Sequence, residues 1–262
     1  MNIVVCVKYV PDAQGDRGFT PDHTTDREAV DGLLSELDEY AVEAALQIVE
    51  AGEGAVTLLT MGPEDASAAL KKGLQMGADK GVLITDEAIA GSDAVATSLV
   101  LAQAITKLGA DTPVDLVLTG LASTDGSMSV VPAMLAERLG LPQVTFASEL
   151  TVDGGTVTIR RDDAVASQTV QASLPAVVSV TDQINEPRYP SFKGIMAAKK
   201  KPVETWGLSD LDLDASQVGL DAAWTTVETV EARPPRSKGE VVTDAGEGGK
   251  ALAAFLASRK FV

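Results

Sequence analysis

Short apolar segments alternate with helical segments over the first 120 residues, and this alternation limits the folds open to the chain. Four segments are apolar and rich in Val, Ile and Leu, as buried strands are, and they span residues 2–8, 55–61, 81–85 and 114–119. Three segments between them have the apolar spacing or the end signals of helices, and they lie at 38–50, 63–77 and 92–109. We therefore predict an α/β fold, a Rossmann-like parallel sheet with helices on both faces.

The pattern changes after about residue 144. Asp153, Gly154 and Gly155 lie between two segments of alternating polarity, which is a strong signal for a tight hairpin. The alternation continues at 167–172 and 176–180. We therefore predict that an antiparallel extension follows the parallel sheet.

The residues beyond 202 are rich in Asp and Gly and contain few apolar runs. We predict a nucleotide-binding domain at 1–202 and an extended C-terminal arm at 203–262, which ends in a helix near 249–258. An arm with few core residues needs a surface to lie on. That surface is either a partner subunit or the chain's own domain.

The chain is strongly acidic, with a formal net charge of −17 over 262 residues. This charge argues against nucleic acid and against an anionic membrane surface as partners, because both carry negative charge themselves. No stretch reaches the roughly 20 apolar residues that a membrane span needs, and the first residues lack the pattern of a secretory signal. We expect a protein of the cytoplasm.

The chain contains one cysteine, Cys6, and one histidine, His23. A single cysteine cannot form a disulfide within the chain, and one Cys with one His is too few for a His/Cys metal site or a nucleophilic pair. We predict that Cys6 is a core residue, and we expect no metal site and no catalytic residue. A magnesium site made of carboxylates alone stays open.

The segment from Gly120 to Leu135 is the strongest candidate for a ligand site. A predicted strand ends at Gly120, a loop of small and hydroxyl residues follows, and a helix begins near Ser129 with Pro132 in its first turn. Backbone N–H groups at such a helix start can bind a phosphate, although Ser and Asp also cap helices that bind nothing. The chain has neither a G-x-G-x-x-G after its first strand nor a P-loop.

The segment from Asn185 to Pro202 combines two prolines, apolar residues and three consecutive lysines. Pro187 and Pro190 prevent a continuous helix through its first third. A prolyl turn that presents an apolar side chain, followed by a short basic helix, predicts a docking element. The alternative is a capped helix whose apolar residues return to the core.

This segment reads N-E-P-R-Y-P-S-F-K-G-I-M-A-A-K-K-K and resembles the recurring pattern of the beta subunit of electron transfer flavoproteins. The preceding L-P-A-V-V, at 174–178, resembles the strand before it in the same family. The resemblance extends over nearly the whole chain, and its segments are 4–10, 38–45, 61–79, 120–143 and 174–201.

The resemblance implies a carrier rather than an enzyme. It implies a heterodimer with an alpha subunit that holds most of the FAD, and electron transfer from acyl-CoA and related dehydrogenases to a membrane quinone oxidoreductase. Residues 185–202 would be the recognition loop of the family, with Phe192 as the anchor that enters partner dehydrogenases. The partner-docking residues would be Tyr189, Phe192, Ile195 and Met196.

The resemblance also implies a structural AMP. Its adenosine would contact Cys6, Met61 and the segment from Ser35 to Asp38, while Leu37 would approach the flavin. The phosphate would lie on the loop that begins at Gly120, and the loop residues are Gly120, Asp125, Gly126, Ser127, Met128, Ser129, Val130 and Val131.

The loop departs from the family pattern at three positions, because Met128, Ser129 and Val130 stand where Thr, Gly and Gln are usual. Backbone contacts survive such changes, and Ser127 and Ser129 are the residues that could replace the missing hydroxyl. A bifurcating relative would carry a second FAD in place of AMP. Two further classes, an ATP-using ligase and an ATP-binding stress protein, lack their phosphate loops in this sequence.

Overall fold

The computed structural model describes residues 1–231, 234–235, 238–239 and 241–262. Its strands are β1 (Asn2–Cys6), β2 (Tyr9–Pro11), β3 (Gly32–Leu34), β4 (Ala55–Met61), β5 (Lys80–Ile84), β6 (Leu116–Gly120), β7 (Gln143–Asp153), β8 (Thr156–Asp162), β9 (Ser167–Ser173), β10 (Ala176–Val180) and β11 (Val203–Trp206). Its α-helices are α1 (Glu36–Ala51), α2 (Ser67–Met76), α3 (Ala94–Leu108), α4 (Val131–Leu139), α5 (Phe192–Ala198) and α6 (Gly248–Ser258).

Nine of these strands form one sheet in the order β11-β5-β4-β1-β6-β10-β7-β8-β9. The pairs from β11 to β7 are parallel, and the pairs β7–β8 and β8–β9 are antiparallel. The strands β2 and β3 form a separate antiparallel pair. The predicted parallel sheet with an antiparallel extension is confirmed.

The parallel strands are buried on both faces, which is why they read as continuous apolar runs rather than as alternating ones. In β1, Ile3 and Val5 belong to the core under α1 and α2, whereas Val4 and Cys6 belong to the core under α3 and α4. Helices therefore cover both faces of the sheet, as the sequence predicts.

The helix ends follow from local chemistry. Asp93 caps α3, because its Oδ1 accepts a hydrogen bond of 3.0 Å from the N–H of Ala96. Pro132 lies in the first turn of α4, as predicted, but the helix begins at Val131 rather than near Ser129. The difference arises because Ser129 has a φ of 57°, which is left-handed and not helical.

One strand differs from the prediction. The alternation at 176–180 predicts an antiparallel strand, but β10 pairs in parallel with β6 on one side and with β7 on the other. All five of its residues are buried. A strand that is buried on both faces in the middle of a sheet is typical of parallel pairing. The nearly continuous apolar sequence of β10, Ala-Val-Val-Ser-Val, indicates such a strand.

The start of the C-terminal arm also differs. Residues 203–206 form β11, which pairs in parallel with β5 at the edge of the sheet. Trp206, Leu208 and Leu211 are buried in the core beneath α3. The first compact unit of the chain is Met1–Glu228, so the part that packs on the sheet continues past the expected boundary at residue 202.

The second unit is Thr229–Val262. Its helix is α6, close to the predicted position, and none of the residues of α6 is buried. Within the predicted arm, 232–233, 236–237 and 240 lie outside the described residues. None of the helices among the described residues has the length and the apolar composition of a membrane-spanning segment.

Candidate nucleotide site and docking segment

Three predicted site residues lie at the carboxyl ends of three adjacent parallel strands. Cys6 ends β1, Met61 ends β4 and Gly120 ends β6, and these strands are neighbours in the order β4-β1-β6. The chain reverses the direction of strand addition between β1 and β6. Open α/β sheets bind ligands at such a switch point.

Asp38 lies at the centre of this edge. Its Oδ2 accepts a hydrogen bond of 2.8 Å from the N–H of Lys8, and the N–H of Gly120 also bonds to the carboxyl group. A Cβ on Gly120 would lie 2.6 Å from Asp38 Oδ1 and 2.7 Å from the carbonyl oxygen of Leu37, so only glycine fits. The start of α1 is therefore fixed against the ends of β1 and β6.

Burial raises the pKa of Asp38, and the hydrogen bonds from Lys8 and Gly120 lower it. Burial has the larger effect, so the pKa is raised to about 7. The carboxyl group consequently carries only part of a negative charge at neutral pH. Burial, with a smaller contribution from Asp38, raises the pKa of Cys6 to about 12. Cys6 is thus a neutral core residue, as predicted, and its thiol is free.

Ser35 precedes α1 without capping it. Its backbone N–H donates to the carbonyl of Lys8 at 2.9 Å, while its Oγ is buried and has no hydrogen-bond partner among the described residues. A buried hydroxyl without a partner is uncommon. It lies where the start of α1 meets the segment that follows β1.

Asp125 connects the loop after β6 to the same edge. Its side chain is 3% exposed and forms ion pairs of 2.9 Å with Lys8 and with Arg27. Burial raises the pKa of Asp125, but the two cations and nearby hydrogen bonds outweigh it and hold the pKa well below its usual range. The cluster therefore contains two cations and one full carboxylate.

The loop from Gly126 to Val130 has an unusual backbone. The N–H of Gly126 donates to Asp125 Oδ1 at 2.7 Å, and the N–H of Ser127 donates to the carbonyl of Ser123 at 3.0 Å. Ser127 and Ser129 adopt left-handed φ angles of 52° and 57°. Non-glycine residues adopt this conformation infrequently, and they are enriched at ligand sites.

The start of α4 follows directly. No side chain caps this helix among the residues described, and Met128 is 54% exposed. The first N–H groups of a helix attract an anion when no side chain takes them. Together with Lys8 and Arg27, this helix start gives the edge the donors and the positive charge that a phosphate group needs.

All but one of the predicted nucleotide-site residues lie together around Asp38 or continue from it along the loop, and the exception is Met61. The contacts above bring together Cys6, Ser35, Leu37, Asp38, Gly120, Asp125 and Gly126, with Ser127 to Val131 continuing from them toward α4. Met61 lies two strands away from β6, at the end of β4.

Sequence reasoning missed Lys8 and Arg27 as members of the site. Lys8 lies two residues past the end of the buried strand β1, and a charge at that place could have indicated a role at the strand end. Arg27 lies in a long polar loop with no regular spacing, so nothing in the sequence connects it to Asp125.

The predicted docking residues lie in a separate place. Tyr189 is 92% exposed and Phe192 is 80% exposed, and the structure gives α5 no buried residue. Ile195 and Met196, also on α5, are partly exposed. The helix is capped by Ser191, whose Oγ accepts from the N–H of Gly194 at 3.0 Å. The alternative in which these apolar residues return to the core is wrong.

Comparison with known proteins identifies the family. The model of the electron transfer flavoprotein domain matches residues 22–211. The chain is 46% identical to the electron transfer flavoprotein subunit beta of Mycobacterium bovis, over 100% of this chain and 99% of that protein. It is 36% identical to the protein of the same name from Megasphaera elsdenii, over 92% and 91% of the two chains.

A third relative has a more specific name. The caffeyl-CoA reductase-Etf complex subunit CarD of Acetobacterium woodii is 35% identical over 93% of this chain and 92% of its own length. The family model covers more than half of the chain and the relatives match it over nearly their full length, so the chain belongs to the electron transfer flavoprotein family as a beta subunit.

Proposed function

We propose that this chain pairs with an alpha subunit to form a cytoplasmic electron carrier. The carrier takes electrons from acyl-CoA and related dehydrogenases and passes them through FAD to a membrane quinone oxidoreductase. The observation that carries the proposal is the similarity to beta subunits over the full length of the chain. FAD supplies the redox chemistry, and the protein contributes binding, position and electrostatics.

We propose that the edge around Asp38 holds AMP as a structural group. Cys6, Met61 and the residues from Ser35 to Asp38 would receive the adenosine, and Leu37 would lie on the side toward the flavin. The three adjacent strand ends at Cys6, Met61 and Gly120 support this assignment, because open α/β sheets bind ligands at such an edge.

The phosphate would lie at the start of α4. Gly120 and Asp125 to Val131 would surround it, with backbone N–H groups as the main donors. Lys8 and Arg27 are already paired with Asp125, so they would act on the phosphate through their charge rather than by releasing the carboxylate. The departures at Met128 and Val130 remove side-chain donors, whereas Ser129 adds a hydroxyl, and all three leave the backbone donors in place.

We propose that the segment 185–202 docks on dehydrogenases. Tyr189 and Phe192 are large, apolar and mostly exposed, although the chain has only a 4% aromatic content. Contiguous exposed apolar patches mark interaction sites, and these two side chains lie three positions apart in the chain. Phe192 would be the anchor, with Ile195 and Met196 beside it on α5.

The direct test is to co-express the chain with the alpha subunit of the same organism and to purify the complex. The visible spectrum and the nucleotides released by acid then report the cofactors. A yellow heterodimer with one FAD and one AMP is the expected result. Two FAD and no AMP would make the complex a bifurcating relative, and a colourless homodimer would contradict the proposal.

A further inference from the structure

The docking segment, residues 185–202, is attached to α1 through one arginine. The Arg188 guanidinium donates to Glu43 at 2.7 and 3.0 Å and to Glu50 at 2.5 and 2.9 Å. The backbone N–H of Arg188 also donates to Glu43 Oε2 at 3.2 Å. A planar guanidinium that forms paired bonds with two carboxylates has one geometry, so this contact fixes direction as well as distance.

The two carboxylates differ in burial. Glu43 and Glu50 are seven residues apart, which is two turns of α1, and they therefore lie on one face of it. The Glu43 side chain is 5% exposed, whereas the Glu50 side chain is 56% exposed. The Glu43 contact is consequently the strong one, and the Glu50 contact is a solvated addition.

The Glu43 carboxylate stays ionised beside the arginine. Burial raises its pKa, but the hydrogen bonds from Arg188 outweigh burial, so the net shift is downward. A second contact lies close by, where the Nδ2 of Asn185 donates to the carbonyl of Tyr40 at 3.0 Å. The entry of the docking segment is therefore held on α1 at two points.

The other end of the segment is held on α2. The Nζ of Lys201 donates to the carbonyls of Leu74 and Gly77 at 3.1 and 2.8 Å, at the C-terminal end of that helix. Between the two ends, a Cβ on Gly194 would lie 2.5 Å from the carbonyl oxygen of Gln75, which shows how closely α5 lies against the end of α2.

This arrangement explains how large apolar side chains can stay in solvent. Tyr189 and Phe192 follow Arg188 by one and four residues, and the backbone on both sides of them is fixed by polar contacts. A docking surface that is already in its bound shape loses less freedom on association than a mobile loop does.

We propose that Arg188 is a positioning residue for docking, which acts by fixing the segment on Glu43 and Glu50 and not by touching the partner. The proposal rests on the proposed docking function of the segment. It differs from a purely structural role, in which the same contacts would stabilise the fold without affecting association.

The test uses the purified complex with the alpha subunit and an acyl-CoA dehydrogenase of the same organism. Steady-state kinetics with the complex as electron acceptor give KM and kcat for Arg188→Lys, Glu50→Gln and Phe192→Ala. The matched control is Arg138→Lys, because Arg138 is an arginine that joins α4 to α3, donating to Ser98 Oγ and to the carbonyl of Val95. Hydrogen exchange of the amides at 189–198 measures the mobility of the segment.

Arg188→Lys keeps the charge but loses the paired geometry. We expect Arg188→Lys to raise KM about two- to tenfold and to leave kcat unchanged. The rise corresponds to the free-energy cost of immobilising one or two side chains when the partner binds. Exchange at 189–198 should become faster. Glu50→Gln should give a smaller rise in KM, and it is the variant that keeps the fold if Arg188→Lys is unstable. Arg138→Lys should leave KM unchanged.

An Arg188→Lys variant with faster exchange or a lower melting temperature but a normal KM would overturn the proposal and leave Arg188 a structural residue. If Phe192→Ala raises KM while Arg188→Lys and Glu50→Gln do not, only this inference fails. If Phe192→Ala leaves KM unchanged, the docking function of the segment fails and the inference fails with it.

Discussion

Replacing Phe192 with alanine tests whether the exposed ring is the anchor of the carrier. The side chain is 80% exposed in the free chain, so its removal leaves no cavity in the core. We expect a change in the free energy of unfolding within about 0.5 kcal/mol, as for other surface substitutions. Any large effect should therefore appear in association alone.

The size of that effect follows from the exposed area. Full burial of a Phe side chain is worth about 1.5–3 kcal/mol. Since 80% of Phe192 is still exposed, docking can gain about 1–2.5 kcal/mol from it. Loss of this gain corresponds to a rise in KM of roughly five- to sixtyfold.

The assay is the reduction of the purified complex by an acyl-CoA dehydrogenase, followed at the flavin absorbance over a range of complex concentrations. Phe192→Leu keeps most of the apolar area and should lie between the wild type and Phe192→Ala. Val165→Ala removes another side chain that is 94% exposed, and it should change nothing. An unchanged KM for Phe192→Ala, with normal FAD content, would refute the anchor assignment.

Three further predictions concern the nucleotide site. Gly120→Ala should place a methyl group against Asp38 and Leu37, lower the stability by about 1–3 kcal/mol and reduce the AMP recovered per complex, measured by acid release and chromatography; full AMP content would contradict it. Because the folded pKa of Asp38 is raised to about 7, its contribution to stability is largest below about pH 4 and falls by up to about 4 kcal/mol as the pH rises to 7. Asp38→Asn should remove this part of the pH dependence of the melting temperature, and identical profiles would show that the carboxyl group is ionised in the fold. Asp125→Ala leaves Lys8 and Arg27 unpaired and should cost about 1–3 kcal/mol, because both cations are partly solvated; a normal melting temperature would refute the importance of the cluster.

The parallel part of the fold could be predicted from the sequence because each buried strand is a short apolar run between helical segments. The strand β10 was misassigned to the antiparallel part because it follows a hairpin in the chain, although it lies between β6 and β7 in the sheet. After β9 the chain crosses the sheet, and this crossing places β10 between β6 and β7. The alternation of polar and apolar residues within a segment carries no information about such a crossing.

The edge strand β11 was missed for a different reason. Three of its four residues are exposed, and only Trp206 is buried, so the segment has the polarity of a loop. Its place in the sheet comes from backbone bonds to β5 and from the contact of Lys107 with the Trp206 ring, 4.5 Å from the centroid. Both are contacts between residues far apart in the sequence.

The candidate site was predictable to the extent that it depends on strand ends. Gly120 was singled out because a predicted strand ends there and parallel strands bring their carboxyl ends to one edge, whereas Cys6 as a ligand contact was implied only by the family resemblance. The pairing of Asp125 with Lys8 and Arg27 depends on how two loops meet. The ion pair between Arg188 and Glu43 likewise joins residues 145 positions apart, and no local sequence pattern predicts such a pair.

The central claim is that this chain, paired with an alpha subunit, carries electrons from dehydrogenases. The most direct measurement is anaerobic mixing of the purified complex with an acyl-CoA dehydrogenase in catalytic amount and its acyl-CoA substrate. The account predicts that the flavin absorbance of the complex bleaches in a reaction that needs both the dehydrogenase and the substrate. A flavin that stays oxidised with each acyl-CoA dehydrogenase of the organism would contradict the account.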